Sequence, residues 1–305
     1  MIEKKPDLRR PPRGVEWPTL ALLLICYTAW IFLPGLLAAL SLWLAVPVLA
    51  VILAFHSSLQ HEALHGHPTQ NALINGALVF PALGLFIPYL RFKDTHLDHH
   101  FDERLTDPYD DPETNFLDPD TFAAMRDQRK FLCNLNNTLL GRMLIGPVFA
   151  QLYFMATDLK MIRAGNRRVM LGWGLHVLGI LPVAAFVIWQ GAVPVWAYVL
   201  AAYLGLSLLK IRTFLEHRAH ELAQARTVII EDRGPLAALF LNNNLHAVHH
   251  SHPRVPWYRL WRLYQSDKSR FLDRNDGYVY RSYAEIFRAY FFHRKDPVPH
   301  PLWPK

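Results

Sequence analysis

Cysteine and charge are both scarce in this chain. It has two cysteines, Cys26 and Cys133, too few for a disulfide framework, a four-cysteine zinc site or a cysteine-ligated iron–sulfur cluster. Charged residues make up 19% of its 305 positions, against about a quarter in ordinary soluble domains. Combined with 52% hydrophobic residues, that shortage excludes intrinsic disorder, which needs low hydrophobicity and high net charge. There is no Gly-x-Gly-x-x-Gly nucleotide fingerprint, no Cys-x-x-Cys, no haem-type cytochrome module and no low-complexity segment.

Long apolar runs are what the chain does have. Pro18 to Leu33 is followed, after Pro34-Gly35, by Leu36 to Phe55; Val169 to Trp189 and Val193 to Leu209 form a second pair. A helix needs about 20 apolar residues to cross a bilayer, and the links are too short to hold a domain. Each pair therefore predicts a helical hairpin, with spans at about 18–34, 36–58, 169–189 and 193–211. The expected fold is an all-α integral membrane protein, a single domain over 1–305, with a helical cap from 91–168 and 212–305. Ala72 to Leu90, broken by Pro81 and Pro88, is expected not to span. Met143 to Met155 is expected at the membrane surface.

Basic residues orient the chain. Lys4, Lys5, Arg9, Arg10 and Arg13 precede the first span; Lys160, Arg163, Arg167 and Arg168 precede the second hairpin, and Lys210 and Arg212 follow it. The hairpin links carry none, so both termini and the cap are expected to be cytoplasmic. The net charge of +7 then reads as a topology signal rather than a nucleic-acid surface, because the cations flank apolar spans. The N-terminal apolar run is too long for a secretory signal and lacks a small-residue cleavage site.

Sixteen histidines are the other abundance. They gather as His61/His65, His96/His99/His100, His217 and His246/His249/His250, all in the expected cytoplasmic segments. Residues three or four apart on a helix share a face, so three of these clusters offer pincers of imidazoles, which suit iron, zinc, copper or nickel. If the spans run straight on out of the membrane at about 1.5 Å per residue, His61 and His217 stand roughly 9 Å and 12 Å above it. Nine rings are too many for one metal and suit two, with four or five each. A lone histidine is more often an ordinary core or surface residue, and His56, His67, His220, His252, His176, His293 and His300 are read that way. Glu62, Asp94, Asp98 and Glu216 adjoin the clusters and are candidates to orient the ligands. The acidic stretch with Asp107, Asp110, Asp111, Asp118 and Asp120 reads as a solvated loop. Arg91, Lys93 and Arg254 are loose candidates for a substrate head group. Trp257 to Arg262 reads either as an interfacial anchor or as cap packing.

On these residues the sequence resembles the membrane fatty acid desaturase family. That family carries three histidine boxes, matched here by His61/His65, His96/His99/His100 and His246/His249/His250, and an extra histidine after the last span, matched by His217. The likeness covers roughly residues 45 to 260. Arg212 to His217 and Asn242-Asn243-Asn244 resemble its bacterial acyl desaturase-like branch. The resemblance implies two iron ions held by histidine alone, O2 as co-substrate, and attack on the aliphatic chain of a fatty acyl lipid. It also implies a bacterial inner membrane and electrons from an external ferredoxin, rubredoxin or cytochrome chain. Hydroxylases and ketolases share the same boxes. Two rivals stand further off: a membrane zinc protease, because His61-Glu62-Ala63-Leu64-His65 is literally H-E-x-x-H, and a non-catalytic metal-binding protein.

Overall fold

A computed structural model describes residues 8, 9, 12 and 14–303; Lys4, Lys5, Arg10 and Arg13 lie outside the described residues. The first hairpin is α1 (Trp17–Ala38) and α2 (Leu42–Leu64). Pro18 sits in the first turn of α1, where a missing N–H costs nothing. Ser41 starts α2 by accepting from the Trp43 amide at 3.1 Å, an ordinary N-cap. The turn falls at residues 39–41, not at Pro34-Gly35 as the sequence suggests. Pro34 lies inside α1, and Gln190 from the second hairpin donates to the nearby Ile31 carbonyl at 3.0 Å. A neighbouring side chain of this kind lets a membrane helix tolerate an internal proline.

Next come α3 (Ala72–Leu78), α4 (Tyr89–His99), α5 (Pro119–Ala123), α6 (Asp127–Asn136), α7 (Leu139–Leu144) and α8 (Gly146–Arg163). The second hairpin is α9 (Arg167–Gln190) and α10 (Val195–Thr213). The chain then forms β1 (Ile229–Ile230), α11 (Pro235–Leu239), α12 (His246–Ser251), α13 (Trp257–Ser266) and α14 (Lys268–Arg274). It ends with β2 (Val279–Tyr280) and α15 (Tyr283–Tyr290). The two short strands pair in parallel, Ile229 with Val279 and Ile230 with Tyr280, a minor exception to an otherwise helical fold.

Four helices, α1, α2, α9 and α10, are long and apolar enough to cross a membrane. Their outer faces are uncovered: Leu24, Phe32, Leu36, Val177, Leu181 and Ile188 are all exposed. A water-soluble monomer does not leave so wide an apolar band open, whereas a lipid surround accepts it. Trp43, Trp189 and Trp196 ring the hairpin ends and Trp17 marks the opposite end, each more than 60% exposed. Tryptophan prefers those two interfacial levels.

Residues 79–88 form an irregular segment packed against both hairpins. The seven-residue α3 is far too short to cross a bilayer, and the irregular backbone after it must satisfy its carbonyls within the protein. Side chains do this. Tyr27 donates to Leu78 O at 2.8 Å, Tyr198 to Leu83 O at 3.0 Å, His176 to Leu85 O at 2.8 Å and Gln151 to Phe86 O at 2.7 Å. Gly179 allows the approach, since a Cβ there would stand 2.7 Å from Phe80 O. Gly205 similarly lets α10 lie against α2, where a Cβ would meet Ala50 O at 3.1 Å.

The cap has its own apolar cores. Leu139, Phe214, Leu215, Val228, Ile230 and Phe240 make one; Leu245, Val248, Leu260, Leu263, Tyr264 and Phe271 make another. The second buries Leu260 and Leu263 of α13, while Trp257 at the start of that helix packs against the core of the spans. The Trp257 indole also donates to Thr19 Oγ1 at 3.2 Å, which ties the cap to α1.

Candidate metal centre

All nine clustered histidines converge above the spans. His61 lies in the last turn of α2 and His65 caps it; His96 and His99 lie on α4 and His100 caps that helix; His246, His249 and His250 share α12. His217 is not on an extension of α10, which ends at Thr213. It lies on extended chain that bridges Thr227, so the straight-helix expectation fails for this residue. The break at Phe214 lets Phe214 and Leu215 turn into the cap core.

The rings sort into two groups of four. His61, His65, His96 and His249 form one; His99, His217, His246 and His250 form the other; the ligand atoms within each group lie within 4.8 Å of one another. His100 lies between them, its Nε2 at 3.1 Å from His96 Nε2 and 3.2 Å from His249 Nε2, its ring stacked on His250 at 4.2 Å. The groups do not follow the sequence clusters. α4 sends His96 to one and His99 to the other, and α12 divides likewise, so each helix bridges the two groups.

The chemistry of the donor set fits metal ions. Glu113 Oε1 is 2.9 Å from His96 Nδ1 and Asp111 Oδ1 is 2.7 Å from His99 Nδ1. A carboxylate can only accept, so both Nδ1 atoms carry a proton, and in the neutral rings that a metal requires both Nε2 atoms offer the lone pair. Asn243 Oδ1 plays the same part for His246 Nδ1 at 3.3 Å. The ε nitrogens face other imidazoles: His61 Nε2 to His96 Nε2 is 3.0 Å, His99 to His217 is 2.8 Å and His217 to His246 is 3.1 Å. His65 Nε2 is buried with no hydrogen-bond partner among the described residues. Converging lone pairs without enough protons between them are what a cation resolves.

Electrostatics agree. Burial, reinforced by the neighbouring imidazoles, holds His65, His217, His246 and His249 well below the usual histidine range. They are neutral, as ligands must be. For His99 the cost of burial is outweighed by Glu113 and Asp111, which raise it to about 9. The same carboxylates that favour a second proton on that ring favour a metal cation in its place.

The orienting carboxylates come from an unexpected place. Asp111 and Glu113 belong to the acidic stretch that reads as a solvated loop, yet Asp111 is buried. Glu113 is absent from the sequence-based candidates; its only signal is an acidic residue shortly after the second histidine cluster. Of the predicted carboxylates, Glu216 comes nearest, 3.7 Å from His246 Nδ1 and paired with Arg212 at 3.2 Å. Glu62 instead accepts the Trp257 amide at 3.1 Å. Asp94 takes a bidentate contact from Arg168 at 2.9 Å. Asp98 pairs with Arg104 at 3.2 Å, with side chains 46% and 53% exposed, a surface contact worth at most about 1 kcal/mol. These three belong to the scaffold because each faces away from the rings.

Other residues resolve similarly. Arg91 is locked to buried Asp158 at 2.9 and 2.8 Å and is withdrawn from any substrate role. Arg254 borders a cleft of about 160 Å³ lined also by Glu16, His65 and His67. His67 is buried and paired with Glu16 at 2.6 Å, His56 contacts Tyr27 at 3.2 Å, and His220 contacts Asp276 at 3.3 Å. His300 is buried in the cap.

Residues 37–282 match the model of the fatty acid desaturase family. The chain belongs to that family. No curated protein matches it. Membership of the fatty acid desaturase family makes it an oxidoreductase of lipid desaturation or a related oxidation, with a fatty acyl lipid in a membrane as the implied substrate. Family members typically carry two irons, and the two four-histidine groups fit that number.

Proposed function

We propose that this chain is an oxygen-dependent di-iron desaturase that introduces a double bond into the aliphatic chain of a fatty acyl lipid. The observation that carries the reading is the pair of four-histidine groups at the ends of two apolar hairpins. The nine ligands are His61, His65, His96, His99, His100, His217, His246, His249 and His250. Both termini and the metal centre face the cytoplasm of a bacterial inner membrane, and the electrons come from an external ferredoxin, rubredoxin or cytochrome chain.

An unactivated methylene has no useful acidity, so side-chain acid–base chemistry cannot break its C–H bond. The iron pair, when bound, supplies reductive O2 activation and the oxidant for that step. Overall, two hydrogens leave neighbouring carbons, and these with O2, two electrons and two protons give the alkene and two waters. The protein's own work is positional. Asp111, Glu113 and Asn243 fix the tautomers and tilt of His99, His96 and His246. The apolar hairpins keep the reacting chain away from water and close to the rings.

Lipid profiling of cells with and without the gene, by mass spectrometry, tests the reading. Loss of two hydrogens at a fixed position supports it; gain of oxygen without a new double bond replaces it with hydroxylation or ketone formation.

A further inference from the structure

The C-terminal tail touches both members of the closest histidine pair by two separate routes. After α15 the chain runs back across the cap as a strap. Lys295 Nζ donates to the His217 carbonyl; Asp296 holds that ammonium from the side at 3.2 Å, and the Lys295 amide donates to Asn137 O at 3.0 Å. A little further on, Leu117 N donates to Val298 O at 2.9 Å and His300 N to Leu117 O at 2.8 Å. The His300 ring packs on Phe116 at 5.0 Å, and its Nε2 lies 3.2 Å from Thr106 Oγ1. The strap thus grips the acidic loop at both ends, Thr106 and Leu117.

Between those grips lie Asp111 and Glu113. Thr106 has φ 70°, a left-handed conformation that a β-branched residue seldom adopts. Its amide donates to Asp111 Oδ2 at 2.9 Å, and Asp111 Oδ1 accepts from His99. One path therefore runs from His300 through Thr106 and Asp111 to His99, and the other from Lys295 to His217. The two paths close where His99 and His217 meet at 2.8 Å.

We infer that Lys295 and His300 are positioning residues that set the spacing of His99 and His217 through this strap. The strap reaches the group of His99, His217, His246 and His250 by both paths, and the other group only through Glu113 on His96 at 2.9 Å, so the first group depends on it more. The inference deepens the metal-centre reading and rests on it only for its metal readout.

Full-length protein in detergent tests it, as wild type and as Lys295→Met, Lys295→Arg and His300→Ala. Amide exchange is read across the chain, and Co(II) is titrated into metal-free protein. His300→Ala is expected to speed exchange at 106–117 about tenfold while α13 and the spans stay unchanged. It is also expected to weaken one of two Co(II) binding steps by about tenfold, the low end for loss of an outer partner. Lys295→Met should weaken that same step, and Lys295→Arg, which keeps a cationic donor, should restore it. Unchanged exchange at 106–117, an equal rise over the whole cap, or equal weakening of both steps overturns the inference. Wild-type protein that binds no Co(II) overturns the metal reading and the positioning role together, while the exchange pattern still decides whether the strap fastens the loop.

Discussion

Asp111 grips His99 from behind: its Oδ1 accepts a hydrogen bond from His99 Nδ1 at 2.7 Å, while its Oδ2 accepts from the Thr106 amide at 2.9 Å. Removing the charge while keeping the shape isolates its effect on the metal. Asp111→Asn is expected to weaken metal binding ten- to a hundred-fold, the usual cost of an altered outer partner. Equilibrium dialysis with Fe(II) under anaerobic conditions measures it; affinity equal to wild type contradicts the assignment.

His61 and His67 are close in sequence and equally buried, but only His61 belongs to a four-histidine group. His61→Ala is expected to lower the iron bound per chain. His67→Ala removes the 2.6 Å contact to Glu16 but leaves that carboxylate Thr19 Oγ1 at 3.5 Å, and is expected to lower thermal stability by about 1–3 kcal/mol, the cost of a buried polar group losing a partner, with iron content retained. Elemental analysis beside thermal unfolding separates the two effects.

Glu62 decides against a protease. A zincin base must reach a metal-bound water, yet Glu62 is buried with Oε2 on the Trp257 amide. Glu62→Gln preserves an acceptor for that amide, so product formation is expected to stay within about threefold of wild type, a change of under 1 kcal/mol. Complete loss in a folded, metal-loaded variant contradicts the scaffold role given to Glu62.

Gly179 tests the packing of the irregular segment 79–88. An alanine Cβ there would stand 2.7 Å from Phe80 O, so backbone must move. Gly179→Ala is expected to destabilise the protein by about 1–3 kcal/mol, the usual cost of overpacking. Gly174→Ala, where a Cβ meets nothing within 4 Å, serves as the control in the same thermal melt.

An all-imidazole donor set competes with protons. Because burial keeps His65, His217, His246 and His249 below their ordinary range, they stay neutral through pH 7. Iron is therefore expected to be retained through about pH 6.5, the ordinary histidine value, and released only as pH falls well below it. Iron content after dialysis at stepped pH checks the direction; release on raising pH contradicts it.

The spans and the histidine sets are legible in the sequence because both are local patterns. Twenty apolar residues predict a membrane helix whatever surrounds them, and residues three or four apart share a helical face. Legibility fails where an outcome turns on a distant partner. Pro34-Gly35 looks like a turn, but Gln190 supports it inside α1. Asp94 and Asp98 adjoin ligand histidines yet face away to Arg168 and Arg104, while Asp111 and Glu113 come from a loop that composition alone marks as solvent.

The order of residues by itself determined two apolar hairpins, a histidine-rich cap and the identity of the nine clustered rings, since hydrophobic run length and helical spacing need no tertiary contact. Only the folded chain decided which four rings share a centre, because α4 and α12 each straddle both groups. It alone decided which carboxylates orient them, because a hydrogen bond is fixed by distance in space, and His99 and Asp111 meet only once the loop is fastened over α4.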